Sequence, residues 1–140
     1  MTRDAIAAIF DRRRKAFDRL DAAALARDYA QDCVVDSPTG GVHHGPAAVE
    51  QVLQMVFDAL DVKMLEESLL IDGDSVAQVL AIEGTDSGQF LGLPPTGKSF
   101  RIPAVFLYEF KDGQIARERR IYDFTGLLVQ IGLLKAKPTV

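Results

Sequence analysis

Excess basic charge, paired cysteines, clustered metal-ligand residues and long apolar runs are all missing from this 140-residue chain. Lys and Arg number 16 against 20 Asp and Glu, a net charge of −4. With no basic field to condense on a phosphate backbone or an anionic bilayer, nucleic acid is not an expected partner. Cys33 is the single cysteine, so an intrachain disulfide is impossible and the residue reads as a small core side chain. The only histidines are His43 and His44. Neither has a ligand partner at metal spacing, so no transition-metal site is expected. No stretch approaches the roughly 18 apolar residues that a membrane span requires. Residues Met1 to Phe10 include Asp4 and lack the apolar run of a secretory signal, so the expected location is cytoplasmic.

What is present is 48% apolar residues, enough to bury one continuous core, and a single domain over 1–140 is expected. Ile6, Phe10, Arg13, Phe17 and Leu20 recur at helical spacing and predict a first helix. A second, short helix runs to about Tyr29 with Asp21 as its cap, and Cys33 to Asp36 is β-prone. Pro46 opens a third helix whose face is Val49, Val52, Leu53, Val56 and Leu60. Strands Val62–Ile71 and Ser75–Thr85 meet across Asp72-Gly73-Asp74, and Ser99–Phe110 and Gln114–Asp123 meet across Lys111-Asp112-Gly113. A final helix is expected from about Thr125 to Leu134.

Helices followed by a meander of long strands predict an α+β fold with helices covering one face of a curved sheet, an arrangement that can enclose a pocket. In Ser99–Phe110 the residues Phe100, Ile102, Phe106, Tyr108 and Phe110 share one face, while Val105 and Leu107 occupy the other. Helices can cover only one of these faces, so the second predicts a subunit interface and a homodimer.

Two segments are more specific. The loop Gly84-Thr85-Asp86-Ser87-Gly88-Gln89-Phe90-Leu91-Gly92-Leu93-Pro94-Pro95-Thr96-Gly97-Lys98 resembles the linker between two central strands of SnoaL-like polyketide cyclases. Ile121-Tyr122-Asp123-Phe124 followed by Gly126-Leu127-Leu128-Val129-Gln130-Ile131-Gly132 is similar to that family's closing motif, and His44-Gly45-Pro46 to its entry into the third helix. The resemblance implies the cone-shaped nuclear transport factor 2-like fold: a curved antiparallel sheet with the N-terminal helices packed over its concave face. It also implies ring closure by an intramolecular aldol reaction without metal or organic cofactor, with an aspartate, here Asp123, as acid and base. The chain departs from the family at Asp86, where His is usual, and at Arg119, where Trp is frequent. Steroid isomerases of the same fold would need carboxyls at positions aligned with Ser37 and Phe106, and both are absent.

Each candidate has a structural alternative. Asp123, ending a strand at the sheet mouth, is read as a proton-transfer group; otherwise it caps the last helix. His44 can donate an N–H to a carbonyl oxygen, or sit in a surface loop, the reading favoured for His43. Arg13 either reaches the pocket or snorkels past the core. Phe17, Phe106 and Tyr108 are the expected apolar and hydroxyl-bearing ligand contacts, and Asp86 and Arg119 are expected to contact ligand or to pair with each other. The loop from Asp86 to Lys98 is either a pocket lid or a dimer contact. The expected function is acid–base chemistry by Asp123 and His44 on a small, apolar carbonyl compound. The alternatives are a non-catalytic ligand-binding domain or a dimerisation module.

Overall fold

The computed structural model describes residues 1–135, so the last five residues of the domain expected over 1–140 lie outside the described part. Helical apolar spacing becomes α1 (Arg3–Asp18), capped by the Thr2 side chain, with Ile6, Phe10, Arg13 and Ala16 on its buried face. Helix α2 (Ala22–Ala26) is capped by Asp21 as expected, but it ends before Tyr29. Tyr29 instead begins β1 (Tyr29–Ser37), a strand much longer than Cys33–Asp36. A short strand absent from the sequence reading, β2 (Gly41–His44), precedes α3 (Gly45–Ala59), which has proline in its first turn.

The two hairpins form where expected. Strand β3 (Lys63–Asp72) pairs with β4 (Ser75–Thr85), and β5 (Ser99–Lys111) with β6 (Gln114–Tyr122). The second hairpin turns on Asp112 and Gly113, both at positive φ, which suits the right-handed twist of the flanking strands. The last element among the described residues is α4 (Phe124–Gln130), which starts one residue earlier and stops sooner than expected.

All six strands form one sheet in the order β2-β1-β6-β5-β4-β3. The expectation of a wholly antiparallel sheet needs one correction, because β1 and β6 are parallel. Strand β6 lies between β1 and its own hairpin partner β5. A parallel neighbour is sterically accessible there because the whole intervening chain serves as the crossover.

The core lies between the helices and one face of this sheet. Phe10 of α1 packs edge-on against Tyr108 and Phe110 of β5, with ring centroids 5.0 and 6.1 Å away. Cys33 is buried in the same core. On β5 the alternation is clean: Phe100, Ile102, Ala104, Phe106, Tyr108 and Phe110 are buried. On the opposite face Leu107 and, from β6, Ile121 remain 38% and 43% exposed. Among the described residues no helix is long and apolar enough to cross a membrane.

Candidate functional site

Between the helices and the concave face lies a cavity of about 530 Å³. That exceeds the roughly 300 Å³ at which ligand sites begin. Its walls are largely apolar: Phe17 and Phe57 meet edge-on at 5.0 Å, and Leu53, Leu80, Ile102 and Phe106 complete the lining. Phe90 and Leu91, from the loop between β4 and β5, also line it, so this loop forms part of the wall. Phe90 leans on Phe124 and Phe124 on Tyr122, an aromatic chain that ties the loop to α4 at the mouth.

Polar groups enter the cavity at two places. The first is a buried network carried by α1, β1 and β6. Arg13 is buried, and its guanidinium donates to the Leu25 carbonyl (2.9 Å), the Asp28 carboxylate (3.0 Å) and the Tyr29 hydroxyl (3.2 Å). Tyr29 in turn donates to Glu118, and Arg120 donates to the same carboxylate through Nε at 2.9 Å. Glu118 is only 3% exposed. Burial opposes its charge, but Arg120 and Arg13 outweigh burial and hold the carboxyl below its ordinary value. Burial and the Glu118 charge push the Tyr29 hydroxyl up to about 12 and Tyr108 well above its usual value, so both phenols stay neutral donors. Burial also disfavours the Arg120 cation, yet Glu118 beside it holds the proton more firmly than usual. Tyr108 donates to Gln78 (3.1 Å), Gln78 to Glu66 (3.1 Å), and Arg14 closes on Glu66 at 2.8 Å.

The second polar place is the wall formed by β1, β2 and the turn between them. His43 lines the cavity there, and its Nε2 is buried without a hydrogen-bond partner among the described residues. The ring lies over Gly40, where a Cβ would stand 2.5 Å from Nε2. Ser37, Thr39 and the hydroxyl of Tyr122 form a small hydrogen-bonded group beside it.

Several expected site residues therefore stand elsewhere. Arg13, Phe17, Phe106 and Tyr108 line the cavity. His44 is exposed and His43 takes the inward place, because His43 pairs with the buried Val35 and neighbouring strand residues face opposite ways. Arg119 is exposed on the convex face, in a groove with Leu70 and Leu107, and Arg120 is the inward arginine. Asp86 is 1% exposed but accepts from the amide and hydroxyl of Thr96, each at 3.0 Å. It folds its own loop rather than lining the cavity or pairing with Arg119. Asp123 is exposed, lies outside the cavity lining and accepts from the Gly126 amide at 2.8 Å, so geometrically it caps α4. Gly126 is what admits it, since a Cβ there would stand 2.1 Å from a carboxylate oxygen. Glu118 and Arg120 were missed altogether. Among the described residues no three His, Cys, Asp or Glu side chains gather as a metal-binding group.

With this geometry in view, the comparisons with known proteins agree on the kind of protein. The SnoaL-like polyketide cyclase family model matches residues 7–131. Nogalonic acid methyl ester cyclase of Streptomyces nogalater is 33% identical over 94 residues, which are 66% of this chain and 70% of that protein. Among solved structures, TsrD of Streptomyces laurentii superposes with a TM-score of 0.84 at 20% identity, covering 96% of this chain and 99% of its own. A Xanthomonas campestris protein with a provisional polyketide cyclase designation also reaches 0.84, at 23% identity, covering 92% and 98%. At these identities the structural likeness establishes the fold.

Proposed function

Since the chain belongs to the SnoaL-like polyketide cyclase family, we propose that it closes a ring on a small, largely apolar, carbonyl-bearing compound held in the concave cavity, by acid–base chemistry that needs no cofactor. The reaction is an intramolecular aldol addition. A base removes a proton from the carbon next to one carbonyl, the resulting enolate carbon bonds to a second carbonyl carbon, and the alkoxide so formed takes back a proton.

The observation that carries this reading is His43 in the wall of a cavity of about 530 Å³, with an Nε2 that has no partner among the described residues and lies covered by Gly40, so a small turn of the ring presents it to a ligand. An imidazole can both accept and return the proton, and apolar walls keep water from competing for the enolate. In this reading His43 is the proton-transfer group, and the aspartate that the family resemblance nominates, Asp123, keeps the last helix in place. A positioned general base typically contributes about 10²–10⁴-fold to rate.

The test is ring closure of a polyketide-like ester with an active methylene, followed by mass spectrometry and by deuterium uptake at that methylene. His43→Ala is expected to lower both by about 10²–10⁴-fold, while Asp123→Asn leaves them nearly unchanged. The opposite outcome, full loss in Asp123→Asn and none in His43→Ala, would return the role to the aspartate. Binding of such esters with neither exchange nor closure in the parent chain would make the cavity a carrier site.

A further inference from the structure

Arg120 has no part in the proton transfer just described, yet its placement is costly. Its side chain is 9% exposed, it lines the cavity, and its guanidinium carbon sits 6.0 Å from the Phe106 ring centroid. Nε and Nη2 are spent on Glu118, at 2.9 and 3.4 Å. Nη1 has no hydrogen-bond partner among the described residues. An arginine used only to neutralise Glu118 would engage it with two nitrogens and bury the third, but here the free nitrogen belongs to a side chain that lines an apolar chamber.

The buried charges around it are already paired, so the open donor is what distinguishes Arg120. Glu66 is met by Arg14, and Glu118 by Arg120. Arg13 depends on Asp28, and Asp28 is shared with Arg12, which holds it at 2.7 Å. Within the buried set Arg13 and Arg120 are matched by Asp28 and Glu118, and Arg12, the further cation on Asp28, is open to solvent. A hydrocarbon ligand would leave the Nη1 donors unpaired, which is unfavourable, and a neutral carbonyl would satisfy them only by an ordinary hydrogen bond. An anionic oxygen would satisfy them by a charge-assisted bond in a site of low dielectric.

We propose that the ligand of this cavity carries an acidic oxygen, a carboxylate or an ionised enol, and that Nη1 of Arg120 receives it. Glu118, held by Tyr29 and Arg120 together, fixes the guanidinium plane, and Arg13 braces Tyr29 from behind. The inference rests on the ring-closing reading only in taking this cavity as the ligand site. An ionised enol is also the species that proton removal creates, so the same donor would stabilise the transition state leading to it.

Calorimetric titration of the full chain with three probes of similar size tests this: 2-naphthoate, the enolate of 2-phenylindane-1,3-dione, and neutral 2-naphthamide. At least one anion is expected to bind about tenfold or more tighter than the amide, the margin a hydrogen bond to a charged group supplies. Preference for naphthoate identifies a carboxylate, preference for the dione an enolate. In Glu118→Gln/Arg120→Met, which removes both charges but leaves Tyr29 an amide oxygen to donate to, the preference is expected to vanish while naphthamide affinity persists. If that variant does not fold, Arg120→Lys serves instead, since it keeps the charge without the planar donor set and is expected to weaken anion preference severalfold. Equal binding of all three probes by the parent, or a preference undiminished by substitution of Arg120, overturns the proposal. Loss of ring closure with anion preference intact would count against the cyclase reading alone.

Discussion

Replacing Glu118 by leucine is the sharpest perturbation the structure offers, because the carboxylate is almost wholly buried and its partners cannot follow it out. Glu118→Leu leaves the Arg120 guanidinium, itself 9% exposed, without its counter-charge, and deprives the Tyr29 hydroxyl of an acceptor. Breaking a buried ion pair from one side costs about 3–5 kcal/mol. That is a large share of the roughly 5–15 kcal/mol that holds a domain folded. Removing the second charge as well, in Glu118→Leu/Arg120→Leu, relieves the stranded cation and should regain about 2 kcal/mol or more, since a packed apolar pair replaces a buried ionic one with little loss. Urea unfolding at neutral pH measures both. The pH dependence adds a second check. Glu118 is held below its ordinary value in the folded chain, so its contribution is complete above the unfolded value of roughly 4.3 and disappears as pH falls through the lower folded value. The gap between parent and Glu118→Leu midpoints should therefore be full above the unfolded carboxylate value and narrow progressively as pH falls below it. A single substitution costing under about 1 kcal/mol, or a double costing the sum of the two singles, would refute the account of a coupled buried pair.

Gly40→Ala would place a methyl group 2.5 Å from His43 Nε2 and swing the ring away. Ring closure should fall by about 10²-fold with little change in thermal midpoint, measured by turnover and by circular dichroism. Asp123→Ala should lower stability by about 0.5–2 kcal/mol through loss of the α4 cap, with Asp123→Asn milder, as read by chemical unfolding. We propose that the convex face pairs two copies of the chain through Leu107 and Ile121. Light scattering should report twice the 15.3 kDa chain mass, and Leu107→Asp should return the monomer.

The layout was legible because it rests on periodicity and turn chemistry. The Asp72–Asp74 and Lys111–Gly113 turns fixed both hairpins nearly to the residue, and the inward row of β5 read directly from alternation. The site was less legible, for a reason seated in β6. Its pairing with β5 slips between Phe110, opposite Ile115, and Glu109, opposite Arg117, so Ala116 is an extra residue and the parity of the strand changes there. Counting by twos from buried Ile115 puts Arg117, Arg119 and Ile121 inside, whereas Glu118, Arg120 and Tyr122 face the cavity. No composition or motif announces such a bulge. The adjacent histidines pose the same problem. His43 and His44 differ only in which way a four-residue strand turns them, and that follows from pairing with Val35, a contact across the chain. Asp86 was hidden differently: its role comes from Thr96, ten residues on in a loop with no periodic pattern.

The parallel seam between β1 and β6 also sets an order of events in time. Tyr29 cannot find Ile115, nor Val35 find Glu118, until almost the whole chain is available, whereas the hairpins and helices can form from neighbours alone. During synthesis the first strand must wait, paired only with β2, while some eighty residues are added. Closing that separation is the slow step expected of this topology. Because Tyr29, Glu118 and Arg120 lie on the two sides of the seam, the ligand chamber acquires its charged floor at the same moment the sheet is completed. A chain stalled before β6 would carry a hairpin and helices but no binding site, and its unpaired β1 edge would be open to other chains.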